Sequence, residues 1–244
     1  YWADYPGFEV DEVAVYITAN MFSFGTSSLG GVRLWIINKG VSAGFYSGGA
    51  AAFTVHNPYQ SGGTALTTMP AQVFGASGAG TGIGTYLFSY DGLSQGGVGG
   101  QEMVQIVRVN NPLTSPTFTI ETREIGDLEN VGGSFGSPAL PDAPQLGSAT
   151  AIEVNNRRAL DAVWRSNSLW LVFTINPNGS DLANSGESTA HWVRLNTSAV
   201  TSSASPPGLI TLADQGNIGA EDLATGSSTY FPSVAVNGAG DTQF

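Results

Sequence analysis

Tyr5-Pro6-Gly7-Phe8-Glu9-Val10-Asp11 leads into the apolar run Val13-Ala14-Val15-Tyr16-Ile17-Thr18, and far downstream stands Phe231-Pro232-Ser233-Val234-Ala235-Val236-Asn237. Laid over each other, the two heptads read aromatic, Pro, small residue, apolar, variable, Val, Asx. A unit that recurs in this way is repeated supersecondary structure, and it decides the fold before any other feature does. Proline-led strand starts recur at Pro6, Pro70, Pro144 and Pro232, the second and third followed closely by glutamine (Gln72, Gln145). A proline at the first residue of a strand forfeits no ladder hydrogen bond.

Between these starts, strand signals dominate. Segments 14–20 and 32–38 are short, rich in β-branched and aromatic residues, and bounded by Gly or Asn. Segment 86–90 ends in the tight-turn pair Asp91-Gly92. Segment 103–109 alternates, with Met103, Gln105, Val107 and Val109 on one face and Val104, Ile106 and Arg108 on the other. Strands are also expected at 117–121, 160–164, 168–174, 190–195 and 208–212, with Arg165-Ser166-Asn167 as a hairpin connection. No 3.6-residue period extends over ten positions. The best helical stretch, 151–158, reads instead as a strand plus a turn. The connections 75–84, 92–100, 132–143, 176–189 and 201–207 are rich in Gly, Ser, Asn and Pro, as suits loops displayed by an all-β scaffold. The whole chain is expected to be one all-β domain or part of one.

Composition narrows the function. The chain has 244 residues with 41% hydrophobic content, enough for a sizeable core, yet only 11% charged residues. Lys39 is the single lysine against 19 acidic residues, for a net charge of −11. Nucleic acid is excluded as a partner, since phosphate binding needs a Lys/Arg stripe. No run approaches the ~20 apolar residues of a membrane helix, so no membrane insertion is expected. The absence of cysteine removes disulfides, thiolate zinc sites and thiol nucleophiles. An acidic, Lys-poor surface rich in Gly, Ser, Thr and Asn fits a secreted bacterial protein, extracellular or at the cell surface. Starting at Tyr1-Trp2 without Met, and stopping where a new strand is expected, the chain reads as a piece of something longer.

Tyr5-Pro6-x-Phe8-x-Val10-Asp11 with 15–22, Arg158-Ala159-Leu160-Asp161-Ala162-Val163-Trp164 with Ser168-Leu169-Trp170, and 230–241 resemble secreted bacterial β-propeller proteins of the sialidase-like (BNR-type) kind. The resemblance covers most of the chain through short motifs. It implies propeller blades, each a four-stranded antiparallel sheet, in an incomplete set of about three to four. Closed propellers have about 4–8 blades. It also implies an exported or surface-attached protein; such proteins often have no assigned activity.

Chemistry-bearing motifs are sparse. Gly92-Leu93-Ser94-Gln95-Gly96 and Gly132-Gly133-Ser134-Phe135-Gly136 match G-x-S-x-G, with His191 downstream and Asp161 and Asp181 between. A nucleophile elbow needs a helix after the serine, and the glycines and proline that follow do not make one, so loop chemistry is the reading. His56 and His191 form no metal-spaced pair. Asn176-x-Asn178-x-Ser180 with Asn184 and Glu187 partly matches a calcium loop but lacks its first Asp and sixth-position Gly; calcium is the one cofactor entertained, and metal ligands stay open. Asn178 and Asn196 begin glycosylation sequons.

A sialidase-type site would need an arginine cluster, a Tyr–Glu pair and an Asp acid. Arg33, Arg108, Arg123, Arg157, Arg158, Arg165 and Arg194 suffice in number, but the family's Asp-box (Ser-x-Asp-x-Gly-x-x-Trp) is missing. Glu121, Glu124, Glu129, Asp127 and Asp142 are equivalent in sequence, because the separation of a catalytic pair is a spatial quantity. Trp35, Trp164, Trp170 and Trp192 are expected in the packing between blades rather than against sugars. No P-loop exists, and Lys39 ends a strand. No catalytic or cofactor-binding residue is singled out. The expectation is a non-catalytic extracellular module that binds a protein or carbohydrate, or assembles with itself. A secreted carbohydrate-active hydrolase and an extracellular structural subunit are the alternatives.

Overall fold

A computed structural model describes residues 1–40, 44–59, 67–75, 81–90, 94–95, 101–129, 139–179, 181, 183–220 and 223–244. The period-two patterning appears as strands throughout. They are β1 (Trp2–Val10), β2 (Ala14–Phe22), β3 (Leu29–Asn38), β4 (Ala52–His56), β5 (Met69–Pro70), β6 (Gln72–Phe74), β7 (Ile83–Ser89), β8 (Ser94–Gln95), β9 (Gln101–Asn110), β10 (Thr117–Gly126), β11 (Ala159–Arg165), β12 (Ser168–Ile175), β13 (Thr189–Asn196), β14 (Thr211–Ile218), β15 (Ala235–Val236) and β16 (Thr242–Gln243). A 3-10 turn lies at Phe45–Ser47.

Three sheets are antiparallel meanders: β1-β2-β3-β4; β5-β7-β9-β10, with β8 added beside β9; and β11-β12-β13-β14. A fourth, two-stranded unit is β15-β16. One pairing departs from the antiparallel expectation. The chain bends at Ala71, so β5 stays with β7 in the second sheet while β6 pairs parallel to β11 in the third. The first strands of the three sheets are thereby drawn together, β1 and β11 both touching β5 and β6.

The sheets stack face on face. Tyr16, Leu34 and Ile36 of the first sheet meet Leu87, Val107 and Val109 of the second. The other side of the second sheet, through Phe88, Val104 and Ile106, meets Leu171, Phe173 and Val193 of the third. The far side of the third, through Val163 and Val172, takes Val234 and Val236 of the fourth unit. β9 is therefore apolar on both faces because it is a middle strand of a middle layer.

The repeated heptads prove alike in backbone as well as in letters. Tyr5 and Phe231 both hold positive φ, 51° and 52°. At the other end of each heptad, Asp11 Oδ1 accepts the N–H of Val13 and Ala14 (2.8 and 2.6 Å), and Asn237 Oδ1 accepts those of Ala239 and Asp241 (both 2.9 Å). The Asx residue thus seeds the turn that follows. Gly7, the small position, lies where a Cβ would stand 2.6 Å from Met69 Sδ and Thr18 Oγ1, so the first two sheets approach over a bare backbone.

Several expected boundaries are corrected. Pro6 is not a strand start: it lies inside β1, where the register slips between Asp4 and Gly7 and no ladder bond is owed. Pro70 ends β5, Pro144 lies outside the strands beside the Ala143–Ile152 bridge, and Pro232 precedes β15 by three residues. Segment 151–158 contains only that bridge at Ile152 rather than a strand. The strand expected at 208–212 begins at Thr211 and continues to Ile218. The hairpin between β11 and β12 closes on Ser166 and Asn167 alone, with φ of 48° and 64°, the signature of a type I′ turn.

Candidate functional site

Strand placement disperses the serine-hydrolase candidates. Ser94 sits in β8, paired opposite Glu102 in a ladder. Ser134, Ser180 and the Asp91-Gly92 turn lie outside the described residues. His191 is buried in β13. Its Nδ1 meets Asn217 Oδ1 at 2.6 Å, and Asn217 Nδ2 donates to Asp181 Oδ2 at 2.6 Å. Burial pushes the imidazole pKa down. Burial works against the Asp181 charge, but hydrogen bonds from Asn217 and Asn184 hold its pKa below the usual range. Asp161 belongs elsewhere, on β11. His56, half-buried on β4, meets Thr54 Oγ1 at 2.7 Å.

The amides of Asn176, Asn178 and Asn184 are engaged within their loop and with Asp127. Asn178 Nδ2 donates to Asp127 Oδ1 (2.8 Å), Asn184 Nδ2 donates to Asp181 Oδ2 (2.8 Å), and Asn176 Oδ1 accepts the Gly186 N–H (3.1 Å). Of the two sequons, Asn178 is buried and Asn196 is exposed. The arginines serve different partners. Arg157 is clamped by Glu129, Arg123 by Glu121 at 2.7 Å, Arg194 by Asp214 at 3.5 Å, and Arg158 lies over the Tyr5 ring at 4.3 Å. Arg108 is buried and donates to the Ser205 carbonyl, and Arg33 bonds the neighbouring Val32 carbonyl. Arg165 lies over Phe74 at 5.5 Å.

The carboxylates that were equivalent in sequence are unequal in space. Asp142 is exposed and Glu124 lines a surface groove with Arg123. Glu129 is fully buried and accepts Arg157 Nε at 2.8 and 2.9 Å, the Asn176 N–H, and the Tyr90 hydroxyl. Burial first, and the Glu129 charge second, push the Tyr90 pKa far up. A tyrosine so held is a neutral hydrogen-bond donor, the opposite of an activated nucleophile. Beside it, Glu102 is fully buried, its Oε2 accepting the Leu128 and Glu129 N–H groups. Its pKa rises to about 7: burial dominates, Glu129 adds to it, and the two N–H bonds oppose it.

Glu102 makes stability depend on pH. A carboxyl raised from its ordinary value to about 7 keeps its proton in the folded state while the unfolded chain releases it. Stability therefore falls as pH rises from about 4.5 to 7 and levels above that, a decline of about 3 kcal/mol from this residue. Glu102→Gln is expected to flatten that decline and to raise the urea midpoint at pH 8. An unchanged pH profile in the variant refutes it.

Sequence reading passed over two groups. The first is Glu9, in the variable position of the heptad. The pKa of its half-buried carboxyl is raised to about 7 by burial and then by the charge of Asp161 on β11. Asp161 is itself raised by burial, against N–H bonds from Val234 (2.9 Å) and Ala162 (2.8 Å). Two carboxyls with raised pKa values thus come within Coulombic reach where first strands converge.

The second is the face of the first sheet turned away from the second. Its register aligns two cross-strand rows, Phe8–Ile17–Trp35–Val55 and Val10–Val15–Ile37–Phe53. Phe8 is 62% exposed, Phe53 61% and Val55 47%. A groove of about 360 Å³ runs among Pro6, Ile17, Trp35, Ile37 and Phe53. None of the eight row residues belongs to a packed hydrophobic cluster among the described residues. Trp35 thus stands on an open face. Trp164 is buried, donating to Thr197 Oγ1 at 2.9 Å, and Trp170 and Trp192 lie half-buried 5.5 Å apart. Compared with known proteins, the chain matches no family model, no curated protein and no solved structure.

Proposed function

We propose that this chain is a non-catalytic, extracellular or cell-surface assembly module built of propeller-type blades, docking another protein on the open face of its first sheet. Three four-stranded meanders stacked in chain order, their first strands together, with a fourth unit begun, support the blade reading. The two outward rows of apolar side chains carry the docking reading. Contiguous apolar surface on a soluble protein marks an interaction site, and a sheet apolar on both faces is built as an inner layer. The acidic, lysine-poor and cysteine-free composition supports a secreted setting. The test is oxidative footprinting of Trp35 and Phe53 in the protein's own native material. Protection of both relative to the isolated, diluted chain supports the reading; full reactivity in both samples refutes it.

Glu9 and Asp161 favour a second reading, a carbohydrate-active hydrolase. Glu9, its carboxyl raised to about 7 by burial and then by the charge of Asp161, supplies the proton-holding acid that glycoside hydrolysis uses. Turnover of aryl glycosides that disappears in Glu9→Gln and in Asp161→Asn supports it; no turnover by the wild-type chain refutes it.

A further inference from the structure

We infer that the groove between β10 and the segment entering β14 binds a neutral saccharide, independently of the open face of the first sheet. The groove holds about 430 Å³, within the range of about 300–1,000 Å³ usual for small-molecule sites. β10 and β14 are the last strands of the second and third sheets. The groove therefore lies at the far edge from β5 and from β11, which carries Asp161. Gln215 Nε2 stitches the two outer strands by donating to the Ile125 carbonyl at 2.6 Å. Two further bonds fix the entering segment: Arg108 donates to the Ser205 carbonyl, and the Gly208 N–H donates to Glu121 Oε2 at 2.9 Å.

The lining is of two kinds. Met103, Ile210 and Leu212 are apolar, while Arg123, Glu124 and Thr211 bring polar groups. Behind it sits Glu121, its side chain 3% exposed. Glu121 Oε2 accepts Arg123 Nη2 at 2.7 Å as well as the Gly208 N–H, so the carboxylate is bonded to two lining residues. Glu121 Oε1 and Arg123 Nε are buried and without a hydrogen-bond partner among the described residues. Buried polar atoms are ordinarily paired, so the ion pair holds one acceptor and one donor in reserve. Arg123, 23% exposed, is the side chain that turns to admit a ligand to both.

Charge selects the ligand. A phosphate or carboxylate would meet Arg123 but also face Glu121 and Glu124. A cation would reverse that conflict, and an apolar chain would leave both buried atoms unpaired. A sugar satisfies every part: its C–H face suits the apolar residues, and each hydroxyl both donates and accepts.

Titration of the isotope-labelled chain with methyl β-galactoside, methyl α-mannoside and cellobiose, followed by NMR, tests this. At least one sugar is expected to shift the Gly208 and Thr211 amides and the Arg123 Nε signal together and saturably. Arg123→Met is expected to weaken that binding roughly tenfold, the effect of losing a hydrogen bond to a charged group. Thr211→Val, a change at an exposed position of the lining, is expected to weaken it as well, and it decides the matter should Arg123→Met misfold. Failure of all three sugars to move these signals overturns the inference. A stronger response to sodium acetate or phosphate than to the sugars marks an anion site and overturns it too. So do sugar shifts confined to Trp35 or Glu9, and binding indifferent to both substitutions.

Discussion

Arg157→Met is expected to destabilise the protein by about 3–5 kcal/mol, the cost of stripping one partner from a buried ion pair. Arg157 and Glu129 are 1% and 0% exposed at the side chain, and the guanidinium reaches Glu129 through Nε (2.8 and 2.9 Å) and Nη2 (2.8 Å). With the cation gone, Glu129 keeps, among the described residues, only neutral donors, the Tyr90 hydroxyl and the Asn176 N–H. Neither offsets a full charge held out of water. The loss therefore comes from an uncompensated carboxylate rather than from a missing contact. Glu129→Met in the same chain should recover a large part of it, since no charge then remains buried. Urea unfolding of wild type, single and double variants measures the difference. A single variant within about 1 kcal/mol of wild type would show the pair to be expendable.

Phe173→Ala is expected to cost about 3–5 kcal/mol, the range for emptying a core phenylalanine site. Phe173 is fully buried between the second and third sheets. Its ring stacks on Tyr90 at 3.9 Å and lies 5.3 Å from His191. The surrounding strands are hydrogen-bonded on both sides and have little room to collapse, so the cavity persists. The same change on the open face, Phe53→Ala, removes a ring that is 61% exposed. In dilute monomer it should shift stability by no more than about 0.5 kcal/mol. Thermal and urea unfolding of the two variants side by side tests the layer assignment, and equal losses would contradict it.

Much of the fold was legible because it is written locally. Alternation and β-branched runs named the strands, and the match between 5–11 and 231–237 reappears as matched positive φ at Tyr5 and Phe231. Short strands were legible least. β4 is five residues beside a Gly-rich stretch, and β6 is three residues whose parallel partner lies in another sheet. No local period reports such a pairing. Proline was misread at Pro6 because a bulge excuses a missing N–H as well as a strand start does.

The candidate sites divide on the same line. Sequence alone determined an all-β, acidic, cysteine-free chain with repeating strand units, because backbone preference, side-chain period and charge are properties of neighbouring residues. Tertiary structure alone decided which carboxylate is buried against Arg157, that Glu9 feels the charge of Asp161, and that Trp35 stands on an open face rather than in the core. Those facts depend on which surfaces end up facing each other. Burial and Coulomb interaction are set by distance in space, and Glu129, Glu102 and Glu9 became unlike one another only when the sheets stacked.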